Sequence, residues 1–202
     1  MLENLRDYKI VLASNSPRRR ELLSGLDIPF EVKTIDGLEE TYPPSLSPFD
    51  VARHIALGKA SAYRDVMHED ELIITADTIV IVGDEVLGKP SDEDDARLML
   101  SKLRGLTHHV VTGVCIMTRH EQRSFSVRTD VTFAPLSDED INYYVTKYKP
   151  FDKAGAYGVQ EWIGYVGVTG MNGSYYNVMG FPVQRVYEEL KLIKALKNIN
   201  KN

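Results

Sequence analysis

The first apolar run, KIVLAS at 9–14, is unbroken, which suits a buried strand. It gives way to Ser16-Pro17, a helix cap with proline at the first helical position, and Leu22, Leu23 and Leu26 then make an inward stripe. FEVKTI at 30–35 alternates as a second strand would, and the acidic, proline-rich DGLEETYPPSLSP after it reads as an exposed irregular loop. Ser47, Pro48 and Asp50 open a second helix that runs to about Tyr63, with Val51, Ile55 and Ala62 near helical spacing. ELIITADTIVIVGDEVLGKP then predicts a buried strand ending at Asp77, followed by a hairpin turning at Gly83-Asp84.

Further on, Ser91 is the expected cap of the helix DEDDARLMLSKLRG, whose Ala96, Met99, Leu100 and Leu103 face inward. HHVVTGVCIMT and SFSVRTDVTFAP read as an antiparallel pair, and Ser137 caps a helix to about Tyr148. DKAGAYGVQ is a glycine-containing loop, EWIGYVGVTG is read as β, and a turn at Asn172-Gly173 precedes a last helix carrying Val183, Val186, Tyr187, Leu190 and Ile193 on one side. This order predicts a mixed α/β fold: a curved, partly antiparallel sheet flanked by helices. With 202 residues and no repeat, low-complexity tract or linker, a single domain over 1–202 is expected.

Composition narrows the function classes. A formal net charge of -5 provides no general field for a nucleic-acid backbone, so no nucleic-acid partner is expected. No segment approaches the roughly 20 apolar residues of a membrane span, and the N-terminus has no unbroken apolar stretch of signal length. The single cysteine, Cys115, rules out a disulfide framework and fits a reducing compartment. A cytoplasmic protein without membrane partners is the expectation.

Charge at the ends of elements carries the candidate chemistry. Arg18, Arg19 and Arg20 crowd the first turn of a helix, where the dipole disfavours cations by a few tenths of a kcal/mol each (roughly 0.3 or more). A bound polyphosphate would offset that, through the free N–H groups of the helix start and bidentate guanidinium contacts; pairing with acidic runs elsewhere is the competing explanation. Asp77 ends an apolar strand, where a buried carboxylate is costly without a metal, a proton or a donor. Lys59, Lys89, Glu39-Glu40 and the pair Lys153 and Gln160 stand at similar junctions. The DEDD run at 92–95 reads as a solvated first turn rather than a metal cluster, and adjacent His108 and His109 point to opposite faces of a strand, so they cannot share one metal.

At these residues the sequence resembles the Maf nucleoside triphosphate pyrophosphatases. LASNSPRRRELL is similar to the family's opening motif and TADTIVIVGDEVLGKP to its central one, with HHVVTGVCI, DKAGAYGVQ and NGSYYNVMGFPV following in order over about 12–183. The DKAGAYGVQ form resembles the subgroup acting on dTTP and UTP. The resemblance implies metal-dependent hydrolysis between the α and β phosphates of the nucleoside triphosphate, with Mg2+ or Mn2+, by a two-lobed α/β fold around a cleft, commonly a homodimer.

It also implies roles by position. Asp77 matches the proton acceptor, and on chemical grounds it could instead hold a metal-bound water. Arg18, Thr78 and Gln160 match specificity positions; Ser16, Arg19, Lys59 and Lys89 match phosphate contacts; Glu40 matches a metal- or water-binding carboxylate, with Glu39 its competitor. Asp27 stands where the family has glycine, and can still take the left-handed conformation. From another class, a nucleotide-binding regulator of cell division with little turnover is the alternative.

Overall fold

A computed structural model of the chain describes residues 2–199. In chain order the elements are β1 (Lys9–Leu12), α1 (Pro17–Ser24), β2 (Glu31–Val32), α2 (Pro48–Ser61), β3 (Glu71–Val82), β4 (Glu85–Leu87), α3 (Glu93–Leu103), β5 (Thr107–Met117), β6 (Gln122–Phe133), α4 (Asp138–Tyr148), α5 (Trp162–Gly167), β7 (Val168–Asn172), α6 (Tyr175–Val178), α7 (Val183–Lys191) and α8 (Leu196–Ile199). The seven strands form one mixed sheet in the order β2-β1-β3-β5-β6-β7, with β4 beside β3. β1 pairs in parallel with β2 and β3, whereas β3–β4 and β6–β7 are antiparallel. The mixed α/β class and the partly antiparallel sheet are as the sequence pattern predicts.

The chain divides into two compact units. The first comprises Met1–Asp77, Thr112–Val127 and Gly180–Asn202. Its strands alternate between two apolar clusters. Ile10, Leu12, Leu72, Ile74, Val114 and Ile116 share one with Leu23 of α1 and with Val186 and Leu190 of α7, while Val11, Ile73, Cys115 and Met117 share the other with Ala56 and Ala60 of α2. Alternation with period two therefore explains why these strands are apolar throughout: both faces are covered. Gly113 lets α2 come close, since a Cβ there would lie 2.2 Å from Arg53 N and 2.3 Å from Ala52 C.

The second unit comprises Thr78–Val111 and Arg128–Met179. Ala96, Leu100 and Leu103 of α3, Ile141, Tyr144 and Val145 of α4, and Val80, Val110, Val131 and Phe133 from the sheet make its core, which Ala156, Tyr157 and Val159 complete. His108 is fully buried there, with its ring edge-on to Phe133 and its Nε2 2.7 Å from Tyr157 Oη.

Several local expectations hold. Ser16 caps α1 by accepting from Arg19 N, Ser137 closes a capping box with Asp140, and Asp27 takes the left-handed conformation at φ 54°. Others are corrected. β3 does not end at Asp77 but runs on to Val82, because Ile79, Val80 and Ile81 are buried beyond it. The cap of α3 is Asp92, whose side chain accepts from Asp95 N, while Ser91 N–H is bound to the Asp95 carboxylate. The second strand shrinks to Glu31–Val32. Residues 162–167 are helical rather than β, and within them Gly164 packs so close to Val159 that a Cβ would lie 1.8 Å from its carbonyl oxygen.

Candidate active site

Strand alternation and helix spacing bring the charged residues of the first unit together. Thr75 and Asp77 follow Ile73 at two-residue steps, so they emerge on the face that packs against α2. Thr75 Oγ1 donates to Ala56 O at 2.7 Å, tying β3 to the helix. Lys59 lies three residues beyond Ala56, close to one helical turn, and its Nζ donates to Asp77 Oδ1 at 2.8 Å. The same Nζ is 2.7 Å from Glu40 Oε1, so the exposed loop delivers Glu40 to this lysine.

Asp77 is buried, and removal from water pushes its carboxyl above the ordinary aspartate range. Lys59 pulls it back most strongly, then Arg19, while Glu40 adds to the rise. Burial is the largest influence, so the group remains a better proton acceptor than a free aspartate. Lys59 keeps the buried charge tolerable, and Glu40 limits how far its single cation can do so.

The start of α1 lies in the same unit. Its first turn contains no acidic residue, only the arginines behind Pro17. Ser16 N donates to Ser14 Oγ at 3.2 Å, which fixes the turn from β1 into the helix. Arg19 is turned inward: Nε donates to Gly180 O at 2.9 Å and Nη1 to Ala76 O at 2.8 Å. Its guanidinium therefore braces the backbone beside Asp77, and burial lowers its pKa against the pull of Asp77. Arg18 is half-exposed on the same turn.

The second unit holds Thr78, Lys89 and Gln160. Thr78 and Gln160 are half-exposed and Lys89 is exposed. The segments bearing Lys89 and Gln160 are linked by Gly155 N donating to Gly88 O at 3.0 Å. Gly155 requires its positive φ of 66° and its lack of a side chain, because a Cβ would meet Val80 Cγ2 at 2.7 Å. Tyr157 anchors the following residues on His108, and Gly158 N donates to Tyr144 Oη at 3.0 Å. Buried Lys153 pairs with Asp152 and, at 3.1 Å, with Glu161. Tyr144 and Glu161 carry no signal in the sequence that separates them from core tyrosines and surface glutamates, and only the fold reveals the Tyr144 hydroxyl bonded to Glu161.

Among the described residues no group of three or more His, Cys, Asp or Glu is placed to hold a metal. Glu40 and Asp77 are the carboxylates that meet on Lys59 Nζ, and Mg2+ commonly takes one or two protein carboxylates with water and phosphate in its other positions.

The sequence pattern of the family described as Maf-like protein matches residues 9–193. A protein of Phocaeicola vulgatus, 65% identical over 191 residues covering 95% of this chain and 99% of the relative, bears the name dTTP/UTP pyrophosphatase. So do relatives from Parabacteroides distasonis, 60% identical with 95% and 99% covered, and Porphyromonas gingivalis, 56% identical with 95% and 97% covered. A solved structure, the Ham1 protein of Staphylococcus aureus, aligns over 90% of this chain and 99% of its own at 18% identity and a TM-score of 0.48, too loose a likeness to carry function.

Proposed function

The chain belongs to the Maf-like protein family, and on that premise we propose that it is a nucleoside triphosphate pyrophosphatase that hydrolyses dTTP and UTP to the monophosphate and pyrophosphate. The observation that carries the chemistry is the contact between Lys59 and Asp77, a buried carboxylate of raised pKa held on a lysine that also binds Glu40. Asp77 takes a proton from water as the water oxygen bonds to the α phosphorus. The bond from that phosphorus to the bridging oxygen breaks, and pyrophosphate leaves with the electron pair.

Lys59 and Ser16 neutralise and orient phosphate oxygens, and Arg18 adds a bidentate cation at the helix start. Arg19, committed to Gly180 and Ala76, contributes its charge from behind them. In the second unit, Lys89 serves phosphate, while Thr78 and Gln160 serve nucleotide choice. Gln160 suits a uracil or thymine edge, because an amide both donates and accepts. Mg2+ or Mn2+ on Glu40 and Asp77 would supply charge for the phosphate oxygens and acidify a bound water.

The reading extends to a cytoplasmic homodimer. Among the described residues no helix is long and apolar enough to cross a membrane. A binding-only regulator is less favoured, since the relatives are named for turnover.

The test is product analysis by anion exchange after incubation with dTTP, UTP, CTP, GTP and ATP, with Mg2+ or Mn2+ and with chelator. Pyrophosphate with dTMP or UMP, formed only with metal, is the expected result. Release of orthophosphate alone, or binding without turnover, would overturn it.

A further inference from the structure

Alanines make much of the face that α2 turns to the sheet: its buried residues are Val51, Ala52, Ile55, Ala56 and Ala60. Such short side chains form shallow ridges, and burial of apolar surface has no direction, so apolar contact sets the helix's position along the strands only loosely. A catalytic lysine on this helix requires something more specific.

Two backbone-level contacts, one helical turn apart, supply it. At Ala52 the helix rests on β5 at Gly113, where a Cβ would lie 2.3 Å from Ala52 C. At Ala56 the hydroxyl of Thr75, fully buried on β3, donates to the backbone carbonyl oxygen at 2.7 Å. A carbonyl oxygen has two lone pairs, so it can take this bond beside the one that belongs to the helix.

Lys59 and Asp77 come next on the same two elements. Lys59 lies three residues past Ala56, about 4.5 Å along the helix, and Asp77 two past Thr75, about 6.6 Å along the strand and on the same face. From there Lys59 Nζ reaches Asp77 Oδ1 at 2.8 Å and Glu40 Oε1 at 2.7 Å. A flexible four-carbon stem does not fix such a geometry by itself, whereas the hydroxyl bond one turn back fixes where the stem begins.

We propose that Thr75 is a positioning residue for the hydrolysis: its hydroxyl, bound to Ala56 O, sets α2 along β3 and so holds the Lys59 ammonium at Asp77 and Glu40. The effect on turnover rests on the reading of Lys59 given above, and the placement of the ammonium does not.

The experiment compares Thr75→Val, Thr75→Ser and Thr75→Ala, alone and combined with Lys59→Met, in the full-length protein with Mg2+. It reads kcat and KM for UTP, thermal midpoints and, without nucleotide, the rate at which limiting acetic anhydride acetylates Lys59, followed by peptide mass spectrometry. Valine keeps threonine's shape without the hydroxyl, and Ala56 O retains its helix bond, so Thr75→Val should stay within a few degrees of the wild-type midpoint. Its kcat should nevertheless fall about tenfold with KM little changed, and Lys59 should acetylate several-fold faster. Thr75→Ser, which loses a packed methyl but keeps the donor, should lower the midpoint more and kcat less, the reverse of what a role in packing alone gives. With Lys59→Met in place, Thr75→Val should cost nothing further.

If Thr75→Val leaves either kcat or the acetylation rate at its wild-type value, or costs the same factor without Lys59, the positioning role is overturned. If Lys59→Met itself turns over UTP like the wild type, or no nucleotide is hydrolysed at all, the reading of Lys59 or of the reaction falls, and the acetylation rate alone decides the placement. Should Thr75→Val fail to fold, Thr75→Ser against Thr75→Ala, which share the missing methyl and differ in the hydroxyl, makes the same comparison.

Discussion

Lys59 Nζ donates to Asp77 Oδ1 at 2.8 Å, and this one bond opposes the burial that raises the aspartate's pKa. Replacing the lysine by an uncharged side chain of similar length removes the strongest influence holding that pKa down. In Lys59→Met the acid limb of the pH profile of kcat/KM should therefore move to higher pH, by about one unit or more. A limb that stays where it is in the wild type would mean that Asp77 is not the titrating group.

Asp77→Asn should separate activity from stability. Turnover should drop by about two to four orders of magnitude, because the proton acceptor is lost while its volume is kept. The thermal midpoint near neutral pH should hold or rise. With a pKa raised on folding, the native state holds its proton more tightly than the unfolded chain, so the wild type loses stability as pH rises through the window above the ordinary aspartate range. The asparagine variant escapes that loss, and the two proteins should converge at low pH. Differential scanning calorimetry across pH would check this, and a variant several degrees less stable at neutrality would show that the Lys59 pair outweighs burial.

Two glycines near α2 should respond in opposite ways to alanine. Gly113→Ala places a Cβ 2.2 Å from Arg53 N, against backbone that cannot rotate aside, so the expected cost is about 3 kcal/mol or more. Shifting α2 also shifts Lys59, and activity should fall with stability. Gly58 is exposed within the same helix and its Cβ would meet nothing within 4 Å, so Gly58→Ala should stabilise by about 0.5–1 kcal/mol. Urea unfolding of the pair reads both, and equal effects would refute the close packing of β5 on α2.

His108 should contribute to acid sensitivity. Burial lowers its pKa from 6.5 to about 4, so the unfolded chain gains its proton first as the solution is acidified. Stability is then present above the unfolded value and lost as pH falls from 6.5 toward 4, on the order of 3 kcal/mol in all. His108→Gln keeps a partner for Tyr157 without the titration, and should flatten the stability profile in that window. A profile as steep as the wild type's would assign the acid loss to other groups.

The hydrophobic rhythm of the chain determined much of this. The apolar runs at 9–14 and ahead of Asp77 read as buried strands, and the Ser16 and Ser137 caps placed two helix starts to the residue, because capping is a local contest between a side-chain oxygen and water. The family was legible in ordered motifs, since those spacings constrain loops as well as elements. What the chain did not reveal was long-range. Whether β3 stops at Asp77 depends on what covers Ile79 and Val80, and which of Glu39 and Glu40 reaches Lys59 depends on the path of an irregular loop. Tyr144 and Glu161 stand 17 residues apart and become partners only because α4 and the Gly158 turn pack on one core. Local chemistry is written in neighbouring residues, but the protonation of Asp77 and the surroundings of Gln160 are set by burial and distance, which exist only once the chain has folded.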